Sequence, residues 1–393
     1  MDTDHSRTAS SQGTFRATDR LTVLQVGTAQ AALGYTLSSL GACLALLARD
    51  LRTAPESLAW MSSSFGIGLI LVGAVGTIAL RRGSWPVLRT ATFVTGTGAS
   101  LLATAASPPL AVIGALLLGV GAAGLVLVTP ALLHGPGVAA ALSRVTGASS
   151  VTGILAPLAI GGLDSVGPSG RLALLLAVPP LFALAIGAGP SGHPRLRDDR
   201  SVVASGPDQR THPLPVRQLV QRWAAVALAV SIEFCFTFWA VARMLTTGLP
   251  TGAAAIAASG FLVGMATGRA GIPRLLARGA PVVVSGCALA AAGTIVISVA
   301  NSPVSVTAGL VLAGLGISGL YPATLGHLVR LRALPAARSA ALGTLASGIA
   351  ILFAPTALAA VGAAVELRFA FPITVIPLTA VLAMIWYSRR QSS

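Results

Sequence analysis

Charge is what this 393-residue chain has least of. Only 9% of its residues are Asp, Glu, Lys or Arg, against 54% hydrophobic ones, where a water-soluble domain carries about 25% charged residues. Its 11 acids and 26 basic residues cannot cover the surface that a soluble fold of this size leaves in water. A soluble globular enzyme is excluded on that ground. A disordered chain is excluded too, because disorder needs low hydrophobicity. Lysine is absent, so every basic residue is arginine, a bias that fits a high-GC, actinobacterial-like genome. The net charge of +15 is dispersed between apolar runs rather than gathered on one face, which argues against nucleic acid as a partner. Cysteine is scarce as well. Cys43, Cys235 and Cys287 lie in separate apolar runs, without metal-ligand spacing, and read as small buried hydrophobes. No metal or cofactor is expected.

What the chain has in abundance is apolar length. One helical span takes about 20 apolar residues. Runs of that order fall at 21–48, 56–80, 86–106, 109–134, 138–163 and 171–189, and again at 219–246, 251–277, 280–300, 303–329, 337–363 and 369–388. The expected fold is an all-α polytopic membrane protein of twelve helices. Its parts are a polar tail at 1–20, a six-helix bundle at 21–190, a central loop at 191–218, a second bundle at 219–388 and a short tail at 389–393. The first run is too long for a signal-peptide core, so no cleavage is expected. Arginine distribution tests the count: with the N-terminus inside, 21 of the 26 basic residues fall on inner segments and five (Arg49, Arg52, Arg171, Arg243, Arg368) on outer ones. A missed or invented span would invert every later segment and destroy that asymmetry. Both termini are therefore expected in the cytoplasm, with the chain in the plasma (inner) membrane as a monomer.

The halves echo each other. Gly119-x-Gly121-x-x-Gly124 in span 4 recurs as Gly314-x-Gly316-x-x-Gly319 in span 10. A dinucleotide fingerprint needs a preceding strand and a following acid. Small residues at helical spacing inside an apolar run read instead as sites of close helix approach. Span 2 ends in Gly76, Leu80, Arg81, Arg82 and Gly83, and span 8 in Gly264, Gly268, Arg269, Ala270 and Gly271. Span 5 carries Gly153 and Pro157, span 11 Gly348 and Pro355, and span 10 ends in Tyr321-Pro322. Even spans match even spans, as in a parallel repeat about an axis along the membrane normal. On these residues the chain resembles the major facilitator superfamily over essentially its whole length. Gly76, Arg81 and Gly83 match that family's loop pattern after span 2, while Leu80 stands where an Asp is usual. The resemblance implies two pseudo-symmetric six-helix bundles that rock about a central site. It assigns Gly76, Arg81, Gly83, Gly264, Arg269, Pro157 and Pro322 to gating.

A transporter of this kind needs a polar site near the bilayer midplane. Ten of the 11 acids fall in tails, loops or span ends; only Glu233 lies deep in a span, ten residues from Arg243 and eleven from Arg222. At 1.5 Å per residue this places it about 15 Å from either side. A charged acid there is costly, so Glu233 should face a cavity. No basic residue is expected at its depth, which leaves protonation as the cheap alternative and makes Glu233 the candidate proton-coupling residue. Gln30, Tyr35, Trp239 and Tyr321 are candidate substrate contacts. Of the aromatic cluster Phe234, Phe236, Phe238 and Trp239, part should meet lipid. His134 and His327 lie near inner span ends and read as surface groups. The expected partners are a small-molecule substrate, protons and lipid. The expected function is proton-coupled efflux of an amphipathic or weakly cationic solute. The alternatives are proton-coupled uptake of a sugar or other nutrient and a non-transporting membrane sensor. A membrane-embedded enzyme would need a cluster of Asp, Glu or His at the membrane surface, and the sequence shows none.

Overall fold

The structure is a computed structural model describing residues 5–133, 138–167, 169–190, 216–278, 280–329 and 336–390. The central loop from 191 to 215, both extreme termini and His134 lie outside the described residues. Among the described residues the regular structure is entirely helical. Span 1 is α1 (His5–Ser38) continued by α2 (Leu40–Asp50), with a bend of 43° between them. Span 2 is a 3-10 turn at Pro55–Leu58 leading into α3 (Trp60–Leu80), and spans 3, 4 and 5 are α4 (Ser84–Thr104), α5 (Pro108–Leu132) and α6 (Val138–Ser165). Span 6 joins a 3-10 stretch, Gly170–Ala177, to α7 (Val178–Gly187).

The second half repeats this plan. Span 7 is α8 (Val216–Leu245), span 8 is α9 (Thr251–Ala258) with α10 (Gly260–Ala277), and span 9 is α11 (Val282–Val299). Span 10 is α12 (Pro303–Ile317) with α13 (Leu320–Val329), span 11 is α14 (Ala336–Val365) and span 12 is α15 (Leu367–Arg390). Among the described residues ten helices are long and apolar enough to cross a membrane, and the bent α1–α2 pair makes eleven. The twelfth segment, α4, has 21 residues, enough for about 31 Å of helix, but carries more hydroxyls. Thr92 and Thr95 satisfy theirs on carbonyls three or four residues back along α4, so its polarity is internally hydrogen-bonded.

The register of the repeat is written in close backbone contacts. A Cβ on Gly119 would lie 2.2 Å from the Phe65 carbonyl oxygen, and one on Gly314 would lie 2.1 Å from that of Phe261. Gly121 abuts Thr95 and Ala91, and Gly316 abuts Ala290 and Gly286. Spans 4 and 10 therefore pack on spans 2 and 8, and on spans 3 and 9, through glycines with no room for a side chain. The Gly-x-Gly-x-x-Gly strings are helix-packing sites, as their place in apolar runs implies.

The same contacts correct the alignment of spans 2 and 8. Gly68 meets the Leu116 carbonyl and Gly264 meets the Val311 carbonyl, so Gly264 corresponds to Gly68, not to Gly76. The likeness of the two span ends is a coincidence of composition. Five residues further on, Arg269 falls opposite Gly73, not Arg81. It lies eight residues, or about 12 Å, deeper in the membrane than the loop position expected for it.

Four of the five outer arginines are held by partners. Arg49 forks onto Asp164 at 2.8 and 3.0 Å, Arg171 pairs with Asp50 at 2.8 Å, and Arg368 pairs with Glu366 at 2.9 Å. Arg243, 2% exposed, donates to the Ile297 and Ala300 carbonyls and to Thr246 Oγ1.

Candidate functional site

Between the two sets of six helices lies a cavity of about 240 Å³. Its described lining comes from spans 1, 2, 4 and 5 of the first half and 7, 8, 10 and 11 of the second, with spans 3, 6, 9 and 12 contributing nothing. The walls are mainly apolar, with Phe65, Leu69, Phe234, Leu262 and Met265 among them. The halves close on each other at the end remote from the chain termini. There Gly41 abuts the Thr237 carbonyl and Gly161 that of Gly252. Toward the other end α6 and α10 meet around Ser150 and Arg269. α3 and α14 stay in contact along their length, with Gly66 against Gly348 and Leu352, Gly73 against Leu345, and Ser63 Oγ 2.9 Å from Thr356 Oγ1.

Glu233 sits on the cavity wall, near the middle of α8. Its depth agrees with the reading from the sequence; its isolation does not. Arg269 Nη2 lies 3.7 Å from Glu233 Oε1, and Arg269 Nη1 donates to Ser150 Oγ at 3.3 Å. The expectation that no basic residue reaches this depth is overturned, because α10 runs unbroken to Ala277 and carries Arg269 inside the membrane. The arginine thus touches α8 of its own half and α6 of the other.

Tyr321, at the second residue of α13, also lines the cavity. Span 10 is interrupted at Ser318–Gly319, one turn before Pro322, as a residue lacking an N–H favours. The other candidate contacts are engaged elsewhere. Gln30 donates to Thr129 Oγ1 at 2.6 Å and to the Leu125 carbonyl at 3.3 Å. Tyr35 donates to the Ala173 carbonyl at 2.9 Å. Trp239 is fully buried and donates to the Pro355 carbonyl at 2.8 Å. None of the three lines the cavity.

Phe236, Phe238 and Trp239 are all 0% exposed, so the expected lipid contact of this cluster does not occur. The reason is that α8 is surrounded: α2, α9, α12, α13, α14 and α15 all pack on it. Phe236 stacks on Phe261 at 5.2 Å, and Phe234 alone of the cluster reaches the cavity.

The residues assigned to gating are dispersed. Gly76 packs on the Leu127 side chain, Arg81 is exposed at the end of α3, and Gly83 takes φ 106° at the turn into α4, a conformation that favours glycine. Pro157 is buried within an unbroken α6, and Gly264 packs against Val311. Ser150, Thr237 and Ser347 line the cavity and were not singled out from the sequence, where they are three among many hydroxyl residues.

Among the described residues, twelve spans in two sets related by a parallel repeat, around a cavity lined by four spans of each, have the fold of the major facilitator superfamily. Solved structures match over nearly the whole chain. A bacterial homologue of the human lysosomal transporter Spinster, inward-facing and unoccupied, aligns over 95% of this chain and 97% of its own, with TM-score 0.70 and 13% identity. A mutant of the nucleoside transporter NupG aligns over 94% and 99%, with TM-score 0.70 and 14% identity. No protein-family model matches the sequence, and no curated protein matches it. Both neighbours are transporters.

Proposed function

We propose that the chain is a secondary active transporter that moves a small amphipathic molecule by alternating access, with Glu233 as the proton-binding group. The observation that carries this reading is a carboxylate on the wall of a mainly apolar cavity between the two halves. Such a site lets one group meet water from either side in turn as the halves rock. Backbone closure at Gly41 and Gly161, at the end away from the termini, supports an inward-facing state if the termini are cytoplasmic, as the arginine distribution expects. The expectation of an amphipathic or weakly cationic solute draws on the midplane acid, its aromatic neighbours and the apolar spans, and its cationic part needs that acid to lack a basic neighbour. Arg269 removes that support.

The test is accumulation by purified full-length protein in proteoliposomes with an imposed pH gradient, challenged with panels of amphipathic metabolites and antibiotics. Glu233→Gln is expected to abolish gradient-driven accumulation while leaving gradient-free counterflow intact. Accumulation unchanged in that variant removes the proton role. Counterflow absent from the unmodified protein favours the sensor reading.

A further inference from the structure

The geometry points to Arg269 as the recognition site for an anionic group on the substrate, with Glu233 as its stand-in when the cavity holds none. The inference rests on the cavity being the transport site and adds the substrate's charge class.

The guanidinium is poorly satisfied. It has five N–H donors in a planar fork; among the described residues its one hydrogen bond is to Ser150 Oγ. Its approach to Glu233, at 3.7 Å, is well beyond the 2.7–2.9 Å of a strong charge-assisted hydrogen bond. The arginine side chain is 39% exposed, so the unfilled part of the fork is open to the cavity. A carboxylate, sulfonate or phosphate matches that fork in a way a neutral or cationic group cannot. Phe65, Phe234, Leu262 and Met265 line the same cavity and suit an apolar body, which makes the ligand an amphipathic organic anion.

Charge balance links this anion to the proton. The titratable groups on the described cavity lining are Glu233, Tyr321 and Arg269 itself; α1, α3, α5, α6 and α14 contribute none. With Glu233 ionised, the pair is neutral and an incoming anion must displace the carboxylate. When a proton is transferred to a Glu233 carboxylate oxygen, Arg269 becomes an uncompensated cation in a mainly apolar site, which is costly and which the anion relieves. Proton and anion therefore favour each other's binding, by reciprocal linkage. Cooperative binding of this sign corresponds to symport; a cationic substrate competing with the proton for Glu233 would correspond to antiport.

The test uses three probes of fixed charge, benzenesulfonate, benzyl alcohol and benzyltrimethylammonium, so that any pH dependence belongs to the protein. Binding to the purified full chain is read as protection against thermal unfolding at acidic and alkaline pH. Benzenesulfonate is expected to protect, more strongly at acidic pH. Arg269→Gln should weaken that protection about tenfold, because it removes the one cation facing the anion on the cavity wall. Arg269→Lys, which keeps the charge, should retain part of it, and Glu233→Gln should bind at both pH values alike. The unfolding midpoint without probe reports whether each variant folds. Protection by the cation, protection by none of the three, or sulfonate protection unchanged in Arg269→Gln overturns the proposal. Arg269-dependent sulfonate binding without any gradient-driven accumulation leaves the anion site standing and removes the transport reading instead.

Discussion

The two halves share a backbone register and deploy their charges differently. At the outer end of span 3, the carbonyls of Leu102 and Ala105 accept from Arg171, which is also paired with Asp50. At the matching end of span 9, the carbonyls of Ile297 and Ala300 accept from Arg243, which comes from span 7 and meets carbonyls and Thr246. The unsatisfied carbonyls of a helix C-terminus attract a cation in both halves, but the cation arrives from a different helix in each. At mid-depth the difference is larger. Arg269 occupies the place that Gly73 holds in the first half, where the glycine lets α3 lie against Leu345 of α14. The repeat conserves packing and leaves charge free to differ, so both charged groups on the cavity wall come from the second half.

The shared register is broken most severely by filling the paired glycines. Gly119→Leu and Gly314→Leu each drive a side chain into a neighbouring backbone carbonyl at just over 2 Å. Each should cost about 3 kcal/mol or more, seen as loss of monodisperse protein on size-exclusion chromatography, with the two variants alike. A marked difference between them would break the claim of equivalence.

The outer ends should respond unequally. Arg243→Met leaves the buried Ile297 carbonyl and the part-buried Ala300 carbonyl without their donor and should lower stability by roughly 3 kcal/mol, at about 1–3 kcal/mol for a buried unsatisfied group. The check is thermal unfolding in detergent. The smallest effect is expected at Arg49, whose side chain is 44% exposed where it meets Asp164. Arg49→Gln should cost about 0.5–1 kcal/mol, falling further in high salt. A large loss there would mean that this pair holds the outer closure together rather than decorating it.

Much of this was legible along the chain. The twelve apolar segments, the parallel repeat and the packing role of the Gly-x-Gly-x-x-Gly strings follow from run length and small-residue spacing. Glu233 stood out because it is the one acid far from any span end. The rest was not legible, for reasons visible in particular residues. Gln30, Tyr35 and Trp239 are polar or amphipathic residues in apolar helices, and such a residue must find a hydrogen bond somewhere. Sequence cannot say whether that partner is a carbonyl of the next helix or a group in the cavity. Arg269 lies five residues after Gly264, just as Arg81 lies five after Gly76, and sequence likeness assigns both to the same surface.

The sequence alone determined that the chain is a helical membrane protein, because hydrocarbon admits no other use for so many apolar runs and so little charge. It also determined which small residues allow helices to touch. Only the tertiary structure decided how deep Arg269 lies and what it faces. A shift of two helical turns preserves the apolar pattern of a span and yet moves a guanidinium from the membrane surface to its interior. That depth is set by which carbonyl Gly264 packs against, a contact between helices distant in the chain.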